Sequence, residues 1–353
     1  MGAALVCAKP PKIVKKAEKK HQDTTTSNAA AATTPIQAPV APILQPLYVI
    51  LPYFNYCNFK RRKELFLEFV ERYYDTPGLV LCIVEAALHG AEFQLPNPVK
   101  RDNTKIMHFR VITQDPIWLK ENLINIGVKR LPADWQMMAW IDADVQFLNT
   151  SWLSETKQKL ASCPNNVLQL FQTAANLGPT AETYKIDTSF AYQHALGNPV
   201  KPRAKYTDWH PGFAWACSRT AYYAMGGLID WAILGSGDRH MALAIINSVA
   251  DSCPSQINAD YKNRLSEFQM NCQAANLGLG YVTGTVMHFW HGRLADRKYR
   301  ERWDILVSHA YCPMQDICRS HRCGLIQLTE KGKRMTSVLH EYFEGRREDN
   351  VNM

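Results

Sequence analysis

From residue 47 onward, short apolar runs with strand character alternate with amphipathic helical segments. The first strand-like run is LYVIL, and a helical segment at 61–74 follows it. The next two strand-like runs are LVLCIVEAA and KIMHFRVI. A helical stretch, IWLKENLINIGVKRL, then leads into the fourth strand-like run, MMAWIDADV. Strands that alternate with helices form mostly parallel sheets with helices on both faces. We therefore predict an α/β fold whose ligands bind at the carboxyl ends of the strands.

Composition divides the chain into three parts. Residues 1–46 are rich in Ala, Thr, Pro and Lys without periodicity, which predicts a disordered basic arm. The folded domain is predicted at 47–310, and apolar residues at helical spacing in RMTSVLHEYF predict a helical extension over 311–353. The formal charge of +8 comes mainly from the two ends of the chain, which argues against a nucleic-acid-binding face.

The chain has no run of about 20 apolar residues and no apolar signal segment, which predicts a cytoplasmic protein. Gly2, Cys7 and the nearby lysines could form an acylated, basic membrane anchor, giving peripheral membrane contact through the arm. Val6 departs from the acylation pattern, so a plain basic tail stays open as the alternative. The ten cysteines are scattered, and reduced thiols are the expected state.

Two carboxylates, Asp142 and Asp144, stand at the end of the apolar run MMAWIDADV. Residues two apart in a strand face the same side, so both side chains are expected to point into the crevice of the sheet. Two such charges repel unless a cation neutralises them, and carboxylates suit Mn²⁺ or Mg²⁺. The alternative is a pair of loop acids that cap the following helix.

Several motifs together resemble the GT-A (Rossmann-like) glycosyltransferases, especially family-2-like and β-1,4-galactosyltransferase-like enzymes. ILPYFN is similar to the opening strand and turn, KENLINIG to a nucleotide-side helix, and WIDADV to the D-x-D motif. The resemblance implies a mixed, mostly parallel sheet. It also implies donor and nucleotide contacts from a set of residues along the first four strands: Pro52, Asn55, Glu85, Lys120, Asn125 and Asp142.

The segment from Trp209 to the helix after LGSGD is similar to the acceptor side of the same family. The resemblance makes Asp238 the candidate general base, although Gly237 stands where the family has a first acid. His240 is the second candidate for the base, and a helix N-cap is the structural alternative for Asp238. Acceptor contacts are expected from the aromatic and glycine positions of this segment: Trp209, Gly212, Phe213, Trp215, Gly227 and Trp231.

His288 and His291 follow a strand-like run near the end of the domain. Imidazole completes a Mn²⁺ shell beside carboxylates, so the expected metal ligands are Asp142, Asp144, His288 and His291. Residues that are three apart cannot face the same side of a regular strand. Either the chain turns here or only one histidine binds the metal, and His291 is slightly favoured. Arg293 and the basic residues after it are expected to close over a diphosphate, with a solvated charge run as the alternative.

The resemblance implies metal-dependent transfer of a sugar from a nucleotide-diphosphate sugar to a hydroxyl of a glycan or glycoconjugate, with inversion. Two other classes stay open. A nucleotidyltransferase or phosphotransferase also uses paired acids, but it should carry a glycine-rich basic loop after the first strand, and LPYFNYCNFKRRK has no glycine. A catalytically silent sugar-binding relative stays open because Gly237 departs from the family pattern.

Overall fold

A computed structural model describes residues 45–96, 106–200 and 209–352. In these ranges the strands are β1 Leu47–Phe54, β2 Leu79–Leu88, β3 Ile106–Thr113, β4 Met137–Ile141, β5 Val145–Phe147, β6 Asn166–Gln169, β7 Thr173–Leu177, β8 Thr183–Ser189, β9 Trp209–His210, β10 Ala214–Ser218, β11 Gly278–Tyr281, β12 Thr285–His288, β13 Ile317–Arg319 and β14 Ile326–Leu328. The helices are α1 Lys60–Tyr73, α2 Lys120–Val128, α3 Trp152–Ser162, α4 Phe190–Ala195, α5 Arg219–Ala224, α6 Gly237–Ile245, α7 Ala259–Ala274, α8 Glu301–Ser308, α9 Pro313–Asp316 and α10 Thr336–Glu344.

The main sheet has seven strands in the order β11-β6-β10-β4-β1-β2-β3. β10 runs antiparallel to both of its neighbours, and the other neighbouring pairs are parallel. At one end of the sheet the strand order is β3-β2-β1-β4, which is the order of a doubly wound α/β sheet. Such a sheet opens a ligand crevice at the carboxyl ends of its strands. The predicted fold class, a mixed and mostly parallel α/β sheet, is confirmed.

Strand β1 shows why helices cover both faces of the sheet. Leu47, Val49 and Leu51 belong to one apolar core, whereas Tyr48 and Ile50 belong to the other. Successive side chains of a strand point to opposite faces, so a strand that is apolar at every position requires a core on each side. Helix α1 packs in the first core, and helices α2, α6 and α7 pack in the second.

Helix α2 is shorter than the predicted stretch, which covered residues 117–131. The backbone N–H of Trp118 donates to the carbonyl of Ile233 over 2.9 Å, so the residues before Lys120 are held by a neighbouring loop. Within the helix, Gly127 lies against the sheet. A Cβ built on it would lie 2.8 Å from Cγ2 of Ile50 and 3.1 Å from Cγ2 of Val84, so this glycine allows α2 to approach β1 and β2 closely.

Two further sheets complete the described part of the chain. One has five strands in the order β5-β12-β7-β8-β9, and the other pairs β13 with β14. Helix α10 buries Leu339, Tyr342 and Phe343 in the core shared with α2. The predicted boundary at residue 310 stays a prediction. The boundary at residue 46 does too, because nearly all of the arm, with Gly2 and Cys7, lies outside the described residues.

None of the helices in the described ranges combines the length and the apolar composition that a membrane span requires.

Replacement of Gly127 by alanine should lower the free energy of unfolding by about 1–3 kcal/mol, because the new methyl group overpacks the contact with β1 and β2. Urea denaturation with matched m-values measures the change. Met270→Ala is the control, since the Met270 side chain is 63% exposed on α7 and its loss should change stability by less than about 0.5 kcal/mol. Equal stability of Gly127→Ala and the unchanged chain would contradict the close packing.

Candidate active site

A cavity of about 460 Å³ opens at the carboxyl ends of β1 and β4, where the doubly wound sheet is expected to bind ligands. Aromatic and basic side chains form much of its wall. Ten of the residues singled out in the sequence line it: Pro52, Lys120, Asp142, Asp144, Trp209, Gly212, Phe213, Asp238, His288 and His291.

The two aspartates of the D-x-D motif lie beyond the strand. Strand β4 ends at Ile141, and the backbone N–H of Asp142 donates to the carbonyl of Phe213 over 2.7 Å. The expectation that both acids face one side of a regular strand is therefore wrong, because they occupy the turn between β4 and β5. Both side chains still reach the cavity, but they bind different partners there.

Asp144 belongs to the group of residues that could hold a metal ion. Ligand atoms of Asp144, His288 and His291 all lie within 4.8 Å of one another, and Asp142 is not a member of this group. The chain leaves β12 after His288, so the two imidazoles converge, with 3.4 Å between their Nε2 atoms. The turn permits what a regular strand would forbid, and both histidines face the same point.

The donor set of this group fits a divalent metal. Oδ1 of Asp144 is buried and has no hydrogen-bond partner among the described residues. The amide nitrogen of Asn176 donates to Asp187 over 2.8 Å, which turns the amide oxygen toward Nδ1 of His288, 2.9 Å away. Nδ1 of His288 therefore donates, and Nε2 keeps its lone pair for a ligand.

The imidazole of His291 lies beside Glu348, near the end of the described residues. Its Nδ1 lies 3.6 Å from Oε2 of Glu348, and its Nε2 lies 2.7 Å from Oδ2 of Asp144. Arg297 donates from Nη2 to the same Nε2 over 2.7 Å. The guanidinium of Arg297 therefore uses the lone pair of His291 Nε2 that a metal ligand would offer.

The pKa values around this group reflect partial burial and neighbouring charges. Burial alone would raise the pKa of Asp144, but His291, His288 and Arg297 together hold it below its ordinary value. Burial holds the pKa of His288 well below its ordinary value, and Arg297 adds to the effect. A deprotonated carboxylate beside a neutral imidazole is the protonation state that metal ions require.

Asp142 is bound to a lysine. Its Oδ1 lies 2.7 Å from Nζ of Lys120, and the same Nζ lies 2.8 Å from Oδ2 of Asp238. Burial raises the pKa of Asp142 to about 6 against the opposing effect of Lys120. Burial alone would lower the pKa of Lys120, but Asp142 and Asp238 hold it well above its ordinary value. The ammonium group therefore stays charged between the two acids.

Asp238 faces the cavity and does not cap its helix. The N-cap residue of α6 is Ser236, with φ of 85°, and Asp238 is the second residue of the helix. Besides Lys120, the Asp238 carboxylate accepts a hydrogen bond from Nε1 of Trp140 over 3.3 Å. His240 is fully buried beside Ser252 and Tyr261, with ring nitrogens 2.7 and 2.9 Å from their hydroxyls. His240 is therefore removed as the second candidate for the base.

Several residues singled out in the sequence do not line this cavity. Glu85 accepts from the backbone N–H groups of Gln94 and Leu95 and from Arg110, and its side chain is enclosed. The others are held elsewhere: Asn55 beside Gln94, Asn125 and Gly227 beside Tyr222, Trp231 against Tyr261, Trp215 in the sheet core, and Arg293 on Asp296. The function proposed below gives these residues no role.

Three of the residues that sequence reasoning missed act on the cavity through tertiary contacts. Asn176 orients His288, Glu348 faces His291, and Glu121 lines the wall next to Asp238. Only Glu121 carried a signal, because it follows Lys120 in the motif KENLINIG. Asn176 and Glu348 lie more than 50 residues from the histidines they contact, and no local pattern marks them.

No protein-family model and no curated protein matches this chain. Among solved structures, the chain is similar to a mutant β-1,4-galactosyltransferase 7 from Drosophila in complex with manganese, UDP-Gal and xylobiose, with 13% identity, a TM-score of 0.39, and coverage of 84% of this chain and 98% of that one. It is also similar to a mannosyltransferase from Pyrobaculum calidifontis with GDP-Man and Mn²⁺, with 14% identity, a TM-score of 0.39, and coverage of 86% and 70%.

A third solved structure, the galactosyltransferase LgtC with donor and acceptor sugar analogues, shows 11% identity, a TM-score of 0.29, and coverage of 74% of this chain and 95% of that one. All three TM-scores lie below 0.5, so these similarities carry no argument about the activity of this chain. The functional argument therefore rests on the site.

The two acids of the D-x-D motif should differ in metal binding. Asp144→Asn should weaken Mn²⁺ binding by more than about 100-fold, because it removes a ligand, and loss of a supporting residue alone costs about 10–100-fold. Asp142→Asn is the matched control and should retain Mn²⁺ affinity within about tenfold, because Asp142 is bound to Lys120. Isothermal titration calorimetry without nucleotide measures both. An equal loss in the two variants would place Asp142 among the ligands.

Proposed function

We propose that this protein is a metal-dependent glycosyltransferase, which moves a sugar from a nucleoside-diphosphate sugar to a hydroxyl group of an acceptor, with inversion at the anomeric carbon. The observation that carries the proposal is the arrangement of two chemical groups in one cavity. Asp144, His288 and His291, which could hold a metal ion, form what we call the metal side of the cavity, and Asp238 forms the acid side. Lys120 joins the two sides through Asp142 and Asp238.

The metal side suits a diphosphate. Asp144, His288 and His291 would hold Mn²⁺ or Mg²⁺, which would supply Lewis-acid stabilisation of the negative charge on the leaving diphosphate. Cationic side chains surround the same cavity, and they favour a polyanionic ligand in a partly desolvated site. The cations that line it are Arg62, Lys120, Lys185, Arg239, Arg297, Arg300, Arg302 and Arg346.

The acid side suits an acceptor hydroxyl. Lys120 and Trp140 bind the two oxygens of Asp238 and leave each oxygen a further lone pair that can accept a proton. In the proposed step, the acceptor oxygen bonds to the anomeric carbon while the bond from that carbon to the diphosphate oxygen breaks. The hydroxyl proton passes to Asp238, and the diphosphate leaves with the bonding electron pair.

Aromatic side chains lie next to Asp238 in the same wall. Trp209 and Phe213 line the cavity, and the imidazole of His210 stacks on Phe213 with 3.9 Å between the ring centroids. Burial lowers the pKa of His210 to about 4, so this stack is uncharged at neutral pH. Neutral aromatic faces bury the apolar C–H face of a sugar while its hydroxyl groups meet polar partners.

A ligand screen with a product assay tests the proposal. UDP-galactose and GDP-mannose, each with and without Mn²⁺, should raise the melting temperature only when the metal is present, since a ligand of the folded state at 100 times its Kd adds about 2.7 kcal/mol. Release of nucleoside diphosphate should follow in the presence of Mn²⁺ and free monosaccharides. Release of sugar 1-phosphate would support a nucleotidyl transfer enzyme, and release of nucleoside monophosphate would support transfer of the sugar phosphate. Stabilisation without any release would identify a sugar-binding protein without activity.

Asp238→Asn should lower the rate of nucleoside diphosphate release by about 10²–10⁴-fold while it leaves the donor Kd within about threefold, because a general base acts mainly in the transition state. The change keeps the shape of the side chain, and Lys120 keeps its bond to Asp142. Single-turnover kinetics and calorimetry measure the two quantities. Asp251→Asn, at an exposed position, is the control. Near-normal turnover of Asp238→Asn would rule out Asp238 as the base.

A further inference from the structure

Gly237 and the carboxyl group of Glu121 compete for the same space. A Cβ built on Gly237 would lie 2.4 Å from Oε1, 2.6 Å from Cδ and 2.7 Å from Cγ of Glu121. The backbone of Gly237 does not have a positive φ, so its conformation permits a side chain. A side chain at position 237 would therefore displace the carboxyl group of Glu121, which comes from a different helix.

Glu121 is placed at the acid side of the cavity. It is the second residue of α2, its residue exposure is 4%, and it lines the cavity together with Lys120 and Asp238. Burial, assisted by the charge of Asp238, raises the pKa of Glu121 to about 8. The ammonium group of Lys120, the preceding residue, forms its salt bridges with Asp142 and Asp238, and its charge offsets the rise in the pKa of Glu121 only in part.

A carboxyl group enclosed in a protein wall costs free energy unless it gains polar partners. Position 237 carries no side chain, and the structure puts the carboxyl group of Glu121 in the space that one would fill, beside Asp238. A sugar presents several hydroxyl groups close together. Two neighbouring acids on one wall are therefore suited to bind two hydroxyls of the same acceptor.

We propose that Glu121 is an acceptor-binding residue, supplied by α2 in the space that a side chain at position 237 would fill, and that it binds a hydroxyl next to the one that Asp238 deprotonates. The inference rests on the proposed function and extends it, because it defines the acceptor as a compound with two neighbouring hydroxyl groups. Glu121 and Asp238 would then form one acceptor site from two helices.

A set of exchange variants tests this inference. Glu121→Ala removes the carboxyl group, and Gly237→Asp in the same chain returns one close to the same place, because the carboxyl carbon of Asp is one bond from Cβ. Glu121→Ala/Gly237→Asn has the same shape without the acid and is the matched control. Gly237→Asp alone should lower the melting temperature, because Glu121 occupies the space. Removal of Glu121 should restore that melting temperature.

Steady-state kinetics complete the test. The assays contain Mn²⁺, a donor that the wild-type chain turns over, and a panel of methyl glycosides as acceptors. Glu121→Ala should raise the acceptor KM by about 10–100-fold, the effect of one lost hydrogen bond to an acid, with donor affinity unchanged. Glu121→Ala/Gly237→Asp should recover most of this loss, and the Asn control should not. Restored melting temperature with no recovery of KM, or an unchanged KM in Glu121→Ala, would overturn the inference. A wild-type chain without turnover on any donor would overturn the proposed function, and the inference with it.

Discussion

The candidate site depends on the two salt bridges of Lys120. Lys120 is the first residue of α2, and its ammonium group binds Asp142, which follows β4, and Asp238 in α6. One buried charge therefore connects three separate parts of the chain. Without the ammonium group, two acids would face each other with no compensating charge between them, which is costly at a buried position. The same contact holds Asp142 and Asp238 together at the wall of the cavity.

The site separates two tasks that adjacent acids could have shared. Asp142 is bound to an ammonium group, whereas Asp144 faces two imidazoles. The separation follows from the end of β4 at Ile141, since the turn that follows sends the two side chains to different neighbours. A regular strand would have kept both acids on one side and exposed each to the repulsion of the other.

Supporting residues from distant segments orient the groups that face the cavity. Asn176 on β7 sets the proton position of His288. Glu348, which lies beyond α10, faces His291. The carboxylate of Glu348 also pairs with Arg62 and with Arg346, over 2.7 Å each. Such outer contacts fix the orientation of a metal ligand. The residues after 310 therefore contribute to the cavity as well as to the core.

The sequence by itself determined the alternation of strands and helices, because side-chain periods of 2 and 3.6 are local properties of a chain. It also indicated that Asp142, Asp144, His288 and His291 reach the cavity, since they lie at or just beyond the ends of buried strands. The tertiary structure alone decided that Asp142 binds Lys120, that Glu121 fills the space of Gly237, and that Asn125 and Trp231 lie elsewhere. Those outcomes depend on contacts between residues far apart in the chain, which no local pattern encodes.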